Sequence, residues 1–281
     1  MVVTDNESQK IDFIPYKVHA FSNSLQKKVI NYFMATTRKT YVPLENNPKV
    51  LTELIHALGA SPSLAFHDVY DLPTINDPIT YIPHPIHALV VTIHSPVYHK
   101  ARANEPSIPY QKSGLGPEAE PVLWFKQTIG HACGSMAALH ALANSSARSD
   151  ILPGSPLDKL FIEAVPLGIE ERAQIVYDSP ELEAAHRHAA QLGDSIPPSA
   201  EAKNYNHFIA FVRDTKEGHL WELEGGWSGP LDRGKMEDGE DVLSARVVDL
   251  ALGRFLEAAK EIGDIDFSLT VLAGAASTEL R

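Results

Sequence analysis

Cys133 is the only cysteine in this 281-residue chain. It lies in the segment Gln127-Thr-Ile-Gly-His-Ala-Cys-Gly-Ser-Met136. A polar stretch ends at Gly130, and a long helix is predicted from near Gly130 to Asn144, which puts Cys133 in its first turn. Unpaired N–H groups and the helix dipole favour a thiolate over a thiol there, and the thiolate is the nucleophilic form. Gly134 beside it leaves the approach sterically open. Gln127, in the loop six residues upstream, could donate its amide to a developing oxyanion alongside the backbone N–H of Cys133. The same small residues, Gly, Ala, Gly and Ser, also suit a helix start packed closely on a neighbour, and free cysteine is among the most buried residue types.

A thiolate needs a base, and thirteen histidines compete for the role. His131 is two residues from Cys133 on the expected helix and points elsewhere. His140 lies about two turns along it. Most of the others fall in loops or on solvated faces. His207 differs, because it opens the apolar strand pattern Phe208-Ile-Ala-Phe-Val at the end of a loop. The next strand pattern, Leu220-Trp-Glu-Leu-Glu224, places Glu222 and Glu224 on one face, and either could meet His207. Nucleophile, base and orienting carboxylate make the logic of a catalytic triad.

The elements that must position these residues can be read from periodicity and punctuation. Asn47 as N-cap and Pro48 at the first position open a helix. Val50, Leu51, Leu54, Ile55 and Leu58 form its apolar stripe, and Gly59 stops it. Asp71–Pro85 is a turn-rich connection, His87–His94 a buried strand, and Lys100–Glu120 a flexible loop. Helices are expected near Leu157–Val165, Ile169–Tyr177 and Glu181–Leu192, with loop from Gly193 to Asn206. His207–Asp214 and His219–Glu224 read as strands joined by a hairpin turn at Thr215–Gly218. A helix over Asp241–Ile262 and a strand over Phe267–Leu272 close the pattern. Consecutive strands late in the chain predict an α+β domain with an antiparallel sheet.

Apolar residues make up 44 % and charged residues 21 %, ordinary values for a globular chain. The apolar run Ala88–Ile93 is strand-sized, so no membrane span is expected. The first residues are polar and acidic, unlike a secretory signal. One cysteine excludes an internal disulfide and a zinc–thiolate cluster, and suits a cytosolic or nuclear chain. The net charge is −12. Residues 1–40 contribute +3, so the remainder carries −15. Such a surface is a poor phosphate binder; nucleic acid is not an expected partner, and a basic protein fits better. Residues 1–33, mildly basic and rich in lysine and asparagine, differ from the rest of the chain. They read as an extension, either an extended gene model or a loosely ordered arm, before a sensible start at Met34. The domain is expected over 34–281.

Gln127-Thr-Ile-Gly-His-Ala-Cys-Gly-Ser, followed by Leu139-His-Ala-Leu-Ala-Asn144, closely resembles the active-site signature of ubiquitin C-terminal hydrolases. So do Tyr41-Val-Pro-Leu-Glu-Asn-Asn-Pro48, Phe66-His-Asp-Val-Tyr70, His207-Phe-Ile-Ala-Phe-Val, Gly218-His-Leu-Trp-Glu-Leu-Glu-Gly225 and Phe267-Ser-Leu-Thr-Val-Leu-Ala, in the right order. The resemblance implies a papain-like α–β–α sandwich around a central antiparallel sheet, with a threaded chain path. It implies a monomeric thiol hydrolase, without cofactor or metal, that cleaves after the C-terminal glycine of ubiquitin through a thioester. Cys133 is then the nucleophile, Gln127 the oxyanion donor, His207 the base and proton donor, and Glu224 the residue that orients His207. A loop from about Tyr177 to Asn206 would cross the active site and restrict the leaving group. Two positions depart from the family: its acid is aspartate where Glu224 stands, and asparagine is usual where His131 stands. Alternatives on the same fold are a catalytically weak ubiquitin-binding module and a hydrolase of a ubiquitin-like modifier such as NEDD8.

Overall fold

Ala88–Ile93 is buried along its whole length, as expected of a strand with covered faces on both sides. It forms the middle of β2 (Ile86–His94) in a computed structural model that describes residues 39–105, 120–200 and 205–276. The expected extension over 1–33 lies outside the described residues. β2 sits inside a six-stranded sheet with β1 (Leu64–Asp68), β3 (Asn206–Arg213), β4 (His219–Leu223), β5 (Leu231–Lys235) and β6 (Phe267–Gly274). The order is β1-β6-β2-β3-β4-β5, and every pairing is antiparallel.

Strand alternation divides the core in two. Ala88, Val90, Phe208, Ala210 and Val212 face one layer. It contains α1 (Pro48–Leu58), α3 (Cys133–Asn144), α4 (Pro156–Ala164), α5 (Ile169–Asp178) and α6 (Pro180–Ala189). Leu89, Val91, Ile93, Ile209 and Phe211 face the other, made by α2 (Ser95–Arg102) and α7 (Ala245–Ile262). This is the α–β–α sandwich that the sequence leads one to expect.

α1 forms as its sequence dictates. The Asn47 side chain accepts from the Lys49 N–H, Pro48 occupies the first turn, and Gly59 ends the helix at φ 103°. All five stripe residues are buried, each contributing roughly 1.5–3 kcal/mol of transfer free energy. The hairpin turn is held by Asp214, whose carboxylate accepts from the backbone N–H groups of Lys216, Glu217, Gly218 and His219.

Several boundaries differ from expectation. α3 begins at Cys133 rather than Gly130, and His131 is not helical but stands in a left-handed turn at φ 56°. Few residues other than glycine take that region, and histidine is among those enriched there. Lys100–Arg102, expected in a flexible loop, closes α2. α7 starts at Ala245, not Asp241. α2, β1 and β5 were not anticipated as elements.

Candidate active site

One end of the sheet gathers the candidate residues. β2 ends at His94, which pairs with Asn206 at the start of β3, so α2 departs from the point where His207 enters. The loop before Cys133 is laced to the segment 39–41. Tyr41 N–H donates to the Gly130 carbonyl and Gly130 N–H to the Lys39 carbonyl, both at 2.9 Å. A Cβ at Gly130 would lie 2.8 Å from Thr40 Oγ1.

Cys133 is the first residue of α3, with Ala132 at the N-cap and no side-chain cap. Its thiol lies against the backbone N–H of Phe208, the residue after His207, and against those of Gly134 and of Cys133 itself. Burial opposes these donors and wins, pushing the thiol up to about 11. Desolvation, with the Glu224 charge adding to it, thus opposes the expected helix-stabilised thiolate, which the three N–H groups favour without offsetting burial. Gly134 is buried, and a Cβ there would stand 3.2 Å from Leu44 Cδ1. Its smallness serves packing on Leu44, not an open approach.

His207 does not reach a carboxylate. Its Nε2 lies 3.0 Å from Ser95 Oγ, and its ring stacks on Tyr98 at 4.2 Å and 13°. Burial first, then His99 and Arg102, pull its pKa down to about 4. Among the described residues no hydrogen bond joins it to Cys133, Glu222 or Glu224.

The two glutamates of the expected shared face have separate tasks. Glu222 is buried under three guanidinium groups, Arg102, Arg233 (2.7 Å) and Arg254 (3.2 Å). It is a structural ion-pair centre, not a partner of His207. Glu224 is also buried, and its carboxylate accepts from Tyr98 Oη (2.8 Å) and from the Gly226 N–H (2.8 Å). Desolvation raises its pKa despite both bonds. The expectation that Glu224 orients His207 directly does not hold in this conformation, because Tyr98 stands between them. The longer side chain folds back over the following turn, where a Cβ at Gly226 would lie 2.7 Å from its Oε1.

Gln127 is fixed through its backbone. Its N–H donates to the Gly225 carbonyl at 2.8 Å, and Trp124 Nε1 donates to the Glu224 carbonyl at 3.2 Å. Gly225 is obligatory here: a Cβ would stand 2.9 Å from Gln127 Cβ and 3.0 Å from both Gln127 N and Phe125 O. The Gln127 amide donates to the Ile129 carbonyl at 3.0 Å, which leaves the second amide hydrogen free of that bond.

Beside this centre is a cleft of about 510 Å³ lined by Glu45, Asp68, Asp194 and Asp266 together with Leu44 and Phe208. The chain after α6 forms one wall, anchored where Asp194 and Ser195 N–H groups donate to Glu45 (2.7 and 2.8 Å). The Tyr177–Asn206 span thus contains α6 and an anchored segment, with 201–204 outside the described residues. Among the described residues no group of three His, Cys, Asp or Glu side chains is placed to hold a metal ion. No described helix is long and apolar enough to cross a membrane.

Residue type and spacing do not mark Ser95, Tyr98 or Gly226. The proline behind Ser95 sits in the first turn of α2, a helix-opening signal that was available. Nothing local marked Tyr98.

An α–β–α sandwich whose single cysteine opens a helix fits a cysteine peptidase. Residues 41–255 match the family described as ubiquitin carboxyl-terminal hydrolase, family 1, and this chain belongs to that family. A ubiquitin carboxyl-terminal hydrolase of Aplysia californica is 34 % identical over 218 residues, covering 74 % of this chain and 94 % of the relative. One of Drosophila melanogaster is 35 % identical over 211 residues, covering 74 % and 88 %. The catalytic domain of Trichinella spiralis UCH37, solved bound to ubiquitin vinyl methyl ester, superposes with a TM-score of 0.63 at 19 % identity, covering 86 % of this chain and 99 % of that one. The last likeness speaks to the fold.

Proposed function

We propose that this protein hydrolyses the bond after the C-terminal glycine of ubiquitin, with Cys133 as nucleophile. Family membership supports the activity. The observation that carries the assignment of the residue is the placement of Cys133, which opens α3 and packs against the buried cluster containing Phe208, the neighbour of His207. His207 takes the Cys133 thiol proton, the resulting thiolate attacks the glycine carbonyl carbon, and the oxyanion is met by the Cys133 N–H and the Gln127 amide. His207 gives its proton to the departing amine, leaving a thioester. Water attacks that thioester, His207 takes its proton, and the thiol and free carboxylate are released. Glu224 serves as the acid behind His207 once the two can meet.

The acidic cleft beside Cys133 fits a basic substrate tail. A reducing compartment, cytosol or nucleus, suits a mechanism built on the one thiol. The protein works as a monomer in this reading.

The test is labelling with ubiquitin carrying a C-terminal electrophile. Wild type should gain one ubiquitin on the peptide containing Cys133, and Cys133→Ala should gain none while still binding ubiquitin. Ubiquitin-AMC turnover by Cys133→Ala above a tenth of wild type would remove Cys133 as nucleophile. NEDD8-AMC in the same assay ranks the two modifiers.

A further inference from the structure

Four groups on one side of α2 act on His207. Ser95 Oγ engages Nε2, the Tyr98 ring covers its face, His99 stands edge-on at 5.8 Å, and Arg102 adds positive charge. The other titratable groups near it are Cys133 on α3, one residue away through the Phe208 N–H, and Glu224 after β4, reached only through Tyr98. Tyr98 is itself held in place. Arg102 lies over its ring at 5.2 Å, Trp227 packs edge-on at 6.5 Å, and Arg102 is locked to Glu222 and Glu105.

We propose that Tyr98 is a positioning residue that parks the catalytic histidine. Its hydroxyl occupies the carboxylate of Glu224 and its ring lies flat on His207, so acid and base engage only when substrate binding displaces this side chain. The proposal rests on reading Cys133 and His207 as the catalytic pair. Its physical content is a competition for one acceptor. Glu224 Oε2 takes a hydrogen bond either from the Tyr98 phenol or from the imidazole. Only the second fixes the tautomer of His207 and stabilises imidazolium beside a thiolate. Burial holds the thiol neutral in this state, and a neutral thiol resists alkylation and oxidation.

Tyr98→Phe removes the hydroxyl and keeps the stack. The experiment follows the His207 imidazole by NMR titration of the full chain, assigned with His207→Gln, in wild type, Tyr98→Phe and Ser95→Ala. Iodoacetamide alkylation of Cys133 at pH 7 is measured in parallel. In Tyr98→Phe the His207 pKa should rise by about one unit or more, a tenfold gain in imidazolium at pH 7, and alkylation should quicken. Ser95→Ala, which frees Nε2 without touching the stack, should shift both in the same direction by less, and carries the test if Tyr98→Phe does not fold. Folded variants in which neither quantity moves would overturn the parking role. The titration needs no turnover. Electrophilic ubiquitin that still labels Cys133 while His207 stays unmoved would sink this inference alone, whereas label absent from Cys133 would sink the catalytic reading.

Discussion

Replacing Gly225 by alanine should cripple catalysis by displacing the Gln127 loop. The added Cβ would stand 2.9 Å from Gln127 Cβ and 3.0 Å from Gln127 N and Phe125 O. Two of these three neighbours are backbone atoms, so no rotamer change relieves the contact. Ordinary carbon contacts need roughly 3.5–4 Å, and the Gln127 loop and the turn after β4 must therefore part by about half an ångström or more. Overpacking of this kind costs roughly 1–3 kcal/mol, and it weakens the 2.8 Å bond from Gln127 N–H to Gly225 O. The oxyanion donor moves with its loop. Full loss of one such donor costs roughly 10²–10³ in kcat, so Gly225→Ala should lower kcat by about 10- to 100-fold with KM little changed. Steady-state kinetics on ubiquitin-AMC measures this, with circular dichroism to confirm folding. The double variant Gln127→Ala/Gly225→Ala should have the kcat of Gln127→Ala alone, because no amide remains to misplace. A folded Gly225→Ala at wild-type kcat, or a double variant whose losses multiply, would refute this coupling.

Glu222→Gln should remove the centre of the three-arginine cluster. The buried charges left behind should cost about 3 kcal/mol or more, seen as a Tm drop of roughly 6–12 °C. Acid should destabilise the fold between pH 6.5 and 3. His140 and His186 are held down to about 3 and about 4 by burial, so the unfolded chain takes up protons that the folded one refuses. Their stabilisation is full above the unfolded value near 6.5 and is lost as pH falls through the folded values. His140→Gln, which keeps an acceptor for the Phe125 N–H, should flatten the fall in urea midpoint over that range. Cys133 in the free protein should be alkylated more slowly than glutathione at pH 7, with the rate climbing toward pH 11. A plateau below pH 7 would mean that the resting thiol is already ionised.

The sequence was most readable where one residue type has one explanation. Asn47, Pro48 and Gly59 bound α1 because capping and chain reversal are local demands. β2 and β3 showed their burial as unbroken apolar runs. β5 was hidden: Leu231-Asp-Arg-Gly-Lys235 has no apolar alternation, and it is a strand because it pairs with β4 while Arg233 enters the Glu222 cluster. The candidate residues were legible as types, and the family signature ordered them. Their engagement was not. Whether Glu224 bonds His207 or Tyr98 depends on the packing of α2, which lies more than a hundred residues before His207 and Glu224 in sequence. The separate fates of Glu222 and Glu224 arise from Arg102, more than a hundred residues away in sequence. The thiol's neutrality depends on how much water the closed site admits, and no spacing rule contains that quantity.

Gly226 constrains how this site can change over time. Because a Cβ there would crowd Glu224 Oε1 at 2.7 Å, the longer acid and the bare backbone two residues on form a matched pair. A lineage passing from aspartate to glutamate at position 224 has an easier route if glycine is already at 226. A lineage that fills position 226 first finds the glutamate route narrowed. The two sites should therefore vary together, and a side chain tolerated at 226 beside aspartate should be harmful beside glutamate. The reach of the longer acid at 224 and the bare backbone at 226 are thus features of one turn.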